Sequence, residues 1–288
     1  MKQFAIFLFS AMVFSSCVKN NPKPAWLTLA NWQVVANPSP FANDAGELTQ
    51  NFTDAWVYVD GKLIGTFELP CTIPVLMSGN KEVRIYPTVR NNGISATKKI
   101  YPFCDAYKIT LDLVEGQTYN LTPVTQYATA THFWIEDFED FAVQLETDAN
   151  SNATLVRENS SDIAISGYYG HIHLNSTTDS LWQATTSSMV LPQGGAEVYM
   201  EIDYRNDNNL VTGVFAFSSS LGNSQHINIG FNPQPTATMV WKKIYIDLKE
   251  IVSYNSTADY YKQYFRALID SGELQGDIYI DNIKVVYF

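Results

Sequence analysis

Basic charge is in short supply in this sequence: 18 Lys and Arg stand against 29 Asp and Glu, a formal charge of −11 over 288 residues. No Lys/Arg cluster exists to grip a phosphate backbone, which argues against nucleic acid as a partner on electrostatic grounds. Long apolar runs are missing too. The one sustained stretch, Phe4 to Phe14, is too short to span a bilayer as a resident helix. Cysteine is rare, with three in the chain, and sustained helical periodicity is almost absent. There is no Gly-x-Ser-x-Gly elbow, Cys–His context, phosphate loop or dinucleotide fingerprint, so no motif supports an enzyme.

What is present begins at the amino end. Met1-Lys2-Gln3 supplies a charged start, Phe4 to Phe14 a short apolar core, and Ser15-Ser16-Cys17 small residues before a cysteine. The stretch Phe14-Ser15-Ser16-Cys17 resembles the lipobox of bacterial lipoproteins, with Phe14 where Leu is usual. That resemblance implies a signal peptide over residues 1–16, a lipidated Cys17 and a polar, Pro-containing tether over 17–24. It further implies lipid anchoring in the outer membrane, with the leaflet open because no acidic residue follows Cys17. Cys71 and Cys104 then remain in an oxidising compartment, where a disulfide between them is left open.

A hydrophobic content of 46% spread through the chain predicts folded structure, and the length suits two domains, each with its own core. From Trp26 onward, short apolar stretches alternate with period two between Gly, Pro, Asn and Asp, which predicts an all-β chain. Ala55 to Val59 and Lys62 to Phe67 flank Asp60-Gly61, a strong hairpin signal. The segment from Val57 to Gly65, with Lys81 to Ile85 after it, resembles PEGA modules, implying an Ig/PEGA-like β-sandwich over 25–129. Trp134 to Asp140, Val240 to Leu248 and Gly276 to Val285 resemble segments of galactose-binding-like jelly rolls, the fold of many carbohydrate-binding modules. They imply a jelly-roll β-sandwich over 130–288. Apolar residues change phase between Ile278/Ile280 and Ile283/Val285, so a β-bulge is expected at Asp281-Asn282.

In such jelly rolls a structural Ca2+ commonly joins the first and last strands, which implies Glu139 and Asp281 as ligands, with Asp137 and Asp140 nearby as further hard oxygens. His171-Ile172-His173 places two imidazoles on one strand face, a spacing that can chelate a transition metal, but no third His or Cys has suitable spacing nearby. Glu201-Ile202-Asp203 resembles the E-x-D-x-x-E motif of sandwich-fold glycosidases, but Asn206 stands where the second Glu would be, and Asn cannot serve as the acid. Alternation instead puts Tyr199, Asp203, His226, Asn228, Trp241 and Tyr245 opposite the local apolar sets, an expected binding face where rings, carboxylates and amides suit a sugar. The sequence thus leads to a non-catalytic, lipid-anchored envelope protein that binds a glycan through its second domain. The alternatives are a structural or assembly component that binds another envelope protein and, third, a weak polysaccharide-acting enzyme.

Overall fold

A computed structural model of the chain describes residues 23–38 and 44–288, so the expected signal peptide and Cys17 lie outside the described residues. The fold is all-β, as the period-two patterning predicts. The first strands are β1 (Ala25–Leu29), β2 (Gln33–Val34), β3 (Asp54–Val59), β4 (Lys62–Glu68), β5 (Cys71–Val75), β6 (Gly79–Arg90), β7 (Lys98–Ile100), β8 (Tyr107–Leu113), β9 (Thr118–Leu121) and β10 (Val124–Thr125). They form sheets in the orders β5-β1-β9, β2-β10 and β4-β3-β6-β7, with β8 also paired to β6. The hairpin between β3 and β4 turns on Asp60 and Gly61 as expected. Both have positive φ, 51° and 74°, as a two-residue type I′ turn requires, and Lys81 Nζ donates to the Asp60 carboxylate at 2.7 Å. Ala55, Val57 and Val59 on β3 and Val83 and Ile85 on β6 are buried together. Cys71 and Cys104 are free thiols.

The remaining strands are β11 (His132–Glu136), β12 (Leu145–Thr147), β13 (Leu155–Glu158), β14 (Tyr169–Asn175), β15 (Leu181–Thr186), β16 (Val198–Asn206), β17 (Leu210–Ser218), β18 (Gly222–Phe231), β19 (Lys242–Asp247), β20 (Tyr260–Leu268) and β21 (Gln275–Tyr287), with one short helix, α1 (Lys249–Tyr254), after β19. One sheet runs β13-β14-β21-β16-β19, with β11 also on β21; the other runs β12-β15-β20-β17-β18. They share one core. Ile172, Leu174, Met200, Ile202, Ile278 and Ile280 from the first sheet meet Trp182, Leu210, Val214, Ala216 and Phe265 from the second, all buried. Each large side chain fully removed from water contributes about 1.5–3 kcal/mol, so these two inner faces account for the pairing of the sheets.

The phase change near the carboxyl end is a bulge. On β16 the pairing shifts between Glu201, opposite Lys284, and Asp203, opposite Asp281. The extra residue includes Asn282 at φ 49°, a left-handed conformation that Asn tolerates better than most. Ile278, Ile280, Ile283 and Val285 can therefore all point into the core, while Asp281 is turned to the other face.

That other face is not free surface. Tyr199, Tyr245 and Val286, from three strands of the β13-β14-β21-β16-β19 sheet, are packed into the N-terminal core with Phe52, Tyr101, Phe103 and Tyr127. Asn92 continues the contact with both its backbone and its side chain: its N–H donates to Tyr245 O, and its Oδ1 accepts from Asp247 N–H, both at 2.9 Å.

Candidate functional site

The six residues expected to form one ligand-facing patch are divided by the fold. Tyr199, Asp203 and Tyr245 do lie opposite the C-terminal core, but the N-terminal sandwich covers them, leaving exposures of 0%, 3% and 2%. Tyr245 stacks on Phe52 at 5.4 Å, and its Oη accepts from Asn51 N–H at 3.0 Å. Tyr199 donates to Asp247 Oδ2 at 3.2 Å. Burial, reinforced by the Glu201 charge, holds the Tyr245 phenol well above its ordinary range, so it stays protonated. These three are interface residues, a correction to the expectation of an exposed patch. Period-two patterning distinguishes the faces of a strand but does not identify what covers each.

His226 is corrected for a different reason. Thr212 pairs with Ile229 and Gly213 with Ile227, so Asn228 is left without a partner and β18 changes phase there. His226 then shares the side of buried Val214 and lies within 3.1 Å of Ser224 Oγ and 3.2 Å of Asn255 Oδ1, while Ile227 is turned outward. Trp241 stays half-buried. With Thr49, Asn51, Arg90, Asp203 and Tyr245 it lines a cavity of about 470 Å³ at the junction of the sandwiches, and its indole N–H donates to Ile163 O.

The junction encloses charge. Glu201 is fully buried; it accepts from Tyr127 Oη at 2.9 Å and from Tyr101 Oη, and Lys243 Nζ is 3.1 Å away. Burial opposes its ionisation, but Lys243, Lys284 and the two phenols outweigh that and hold the carboxyl below its ordinary value. The carboxylates of Glu201-Ile202-Asp203 thus lie at the contact between the N-terminal strands and the β13-β14-β21-β16-β19 sheet.

Glu139 and Asp281 line one cavity of about 390 Å³ with Glu47, Asp137, Ser166 and Asn282. Asp281 is 1% exposed, and burial together with the charges of Asp203, Asp137 and Glu139 pushes its carboxyl up to about 8. Asn282 Nδ2 is buried with no hydrogen-bond partner among the described residues. Glu139 Oε1 accepts from Tyr168 N–H at 2.7 Å. Asp281 Oδ1 accepts from Asn282 N–H at 2.7 Å but has no cationic partner among the described residues, and a buried carboxyl beside the hard oxygens of Asp137 and Glu139 is a donor set that fits a calcium ion.

The outer face of the β12-β15-β20-β17-β18 sheet presents a feature that sequence reasoning missed. Tyr260, Phe217, Phe215 and Tyr264 form a continuous row across β20 and β17. Their centroids are 4.7, 6.1 and 4.9 Å apart in that order, the first pair stacked at 12°. Gly213 makes the last position: a Cβ there would sit 2.5 Å from Tyr264 Cε1, so the ring lies over the glycine. Beyond it a groove of about 410 Å³ is lined by Val211, Gln225, Ile227, Arg266 and Asp270. A signal was available in Tyr260-x-Lys262-x-Tyr264-x-Arg266, which alternates against the inward Tyr261, Gln263, Phe265 and Ala267; Tyr264, packed over Gly213 and against Phe215, is nonetheless only 4% exposed. On β17 the outward Phe215 and Phe217 are as apolar as the inward set, which hid the face.

No protein-family profile and no curated protein matches this chain. Among solved structures, it resembles a family 11 carbohydrate-binding module of a Clostridium thermocellum cellulase, with 14% identity over 55% of this chain and 96% of that one and a TM-score of 0.37. It also resembles a xylan-binding domain of carbohydrate-binding family 22, with 12% identity, 55% and 96% coverage and a TM-score of 0.39. A tailspike enzymatic domain of bacteriophage CBA120 matches at 12% identity over 52% of this chain, which spans 20% of the tailspike's length, with a TM-score of 0.38.

Proposed function

We propose that this protein is a non-catalytic glycan-binding protein of the bacterial cell envelope, held in the outer membrane by lipid on Cys17. Glycan binds on the outer face of the β12-β15-β20-β17-β18 sheet. The half-buried row of Tyr260, Phe217 and Phe215, backed by the buried Tyr264, carries this reading. Ring faces in a line suit the CH faces of successive sugars, and Gln225, Arg266 and Asp270 beside them supply donors and acceptors for hydroxyls. A glycan array probed with the intact chain, followed by titration of the best oligosaccharide, tests it. Each stacked ring is worth about 0.5–1.5 kcal/mol, so Phe217→Ala with Tyr260→Ala should weaken binding by roughly tenfold or more. No saturable oligosaccharide binding, or binding indifferent to the double variant, would refute the assignment. Ile227 and Leu268, exposed by 71% and 50% at the edge of the same face, favour the second reading, an assembly component whose partner is a protein. Co-purification of one envelope protein, lost on Ile227→Asp, would establish that alternative.

The proposal includes a structural calcium ion held by Asp137, Glu139 and Asp281. A dication there would compensate the buried Asp281 carboxylate and tie the loop after β11 to β21. Chelation should lower the melting temperature, and Asp281→Asn should abolish that response. Identical melting curves in chelator and in calcium would remove the ion from the account.

A further inference from the structure

We propose that His171, His173 and Asp277 form a binding site for a divalent transition-metal ion of the zinc class, separate from the acidic cavity and from the ring row. The third donor absent from the local sequence comes from the neighbouring strand. Antiparallel pairing of β14 with β21 sets His171 opposite Tyr279 and His173 opposite Asp277, and residues two apart on β14 share a face. All three side chains therefore project together. His171 Nε2 is 2.9 Å and His173 Nδ1 2.8 Å from Asp277 Oδ1, and one donor atom from each residue falls within 4.8 Å of the others. Ligands 2.0–2.1 Å from a tetrahedral zinc stand roughly 3.3 Å apart, so small side-chain rotations suffice to enclose an ion.

The surroundings are those of a ligand set held in position. The other nitrogen of His171, Nδ1, lies 3.1 Å from Glu158 Oε1, the carboxylate partner that orients a metal-bound imidazole. Glu158 is itself held by the Tyr169 hydroxyl at 3.2 Å, and Tyr279 stacks on the His171 ring at 4.4 Å and 14°. The Asp277 backbone N–H donates to Asp207 Oδ1 at 2.6 Å. His171 is thus fixed by a carboxylate and a ring, whereas the side chain of His173 is 46% exposed and leaves a way in for an ion. Two nitrogens and one carboxylate oxygen select zinc, nickel or copper over calcium or magnesium. Two neutral imidazoles with the carboxylates of Asp277 and Glu158 also balance a dication. Three protein donors leave the fourth position to water.

Zn2+ alone, titrated calorimetrically into the tag-free intact chain in buffer already saturated with Ca2+, should reveal one saturable site. His173→Ala, a change at the sheet surface, should abolish it without altering the melting curve recorded in chelator. Glu158→Gln, which leaves every donor in place, should weaken it by about 10–100-fold. Co2+ should give the visible absorption of a nitrogen-ligated tetrahedral ion in the wild type and not in His173→Ala. Equal Zn2+ titrations for wild type and His173→Ala, or a cobalt spectrum unchanged from that of the aqueous ion, would overturn the site. Glycan binding is read separately, so failure here leaves the ring row standing.

Discussion

Single residues in this molecule act through the company they keep, and Asp54 shows how. It is completely buried at the start of β3, yet it pairs with Lys98 and, at 3.3 Å, with Arg90. Burial raises its carboxyl pKa, but the bonds and charges of Lys98, Thr53 and Arg90 outweigh that and hold it below the ordinary 3.8. A carboxylate with a depressed folded pKa contributes stability that is present above its unfolded pKa and is lost as pH falls through the folded one. Asp54→Asn should therefore lower stability at pH 7 by about 1–3 kcal/mol and reduce the acid dependence below pH 4. Urea denaturation at a series of pH values reads both effects; curves that stay parallel down to pH 2 would show that the ion pair adds nothing.

At the level of strands, what decides the outcome is where a period-two pattern slips. The Asp60–Gly61 turn and the bulge at Asp281–Asn282 were legible because each leaves a local trace, a turn dipeptide in one case and a phase change in the other. The slip at Asn228 leaves no such trace: its marker is the pairing with β17, so simple alternation puts His226 outward while the ladder sets it on the side of Val214. The metal-ligating group was half legible: His171 and His173 are two residues apart, but Asp277 reaches them only through a pairing more than a hundred residues long. Gly213 carries similar long-range information. A methyl group there would meet His226 O at 2.3 Å as well as the Tyr264 ring. Gly213→Ala should destabilise the protein by about 1–3 kcal/mol and weaken oligosaccharide binding by displacing that ring. Unchanged stability and binding would show that the sheet yields there at no cost.

Across the whole molecule, the covered face is the part the sequence could not disclose, because Tyr199 and Tyr245 are buried by Phe52, Tyr101 and Phe103, residues of another sandwich. The two units should unfold in one calorimetric transition, since their cores are continuous through these rings and through Glu201. Replacing a buried ion-paired group typically costs about 3–5 kcal/mol. Glu201→Gln, which leaves Lys243 without its closest carboxylate, should split the transition into two. Two transitions already present in the wild type would mean that the sandwiches are energetically independent. The continuity of the cores also bears on ligand capture. Residues 126–131, the stretch between β10 and β11, include the buried Tyr127 and Thr131, so the connection is packed into the body rather than looped free of it. The ring row lies on the β12-β15-β20-β17-β18 sheet, whereas the N-terminal half packs on the β13-β14-β21-β16-β19 sheet. A glycan held there would sit on the face opposite the Tyr199–Tyr245 seam, so docking would leave the contact between the two halves undisturbed.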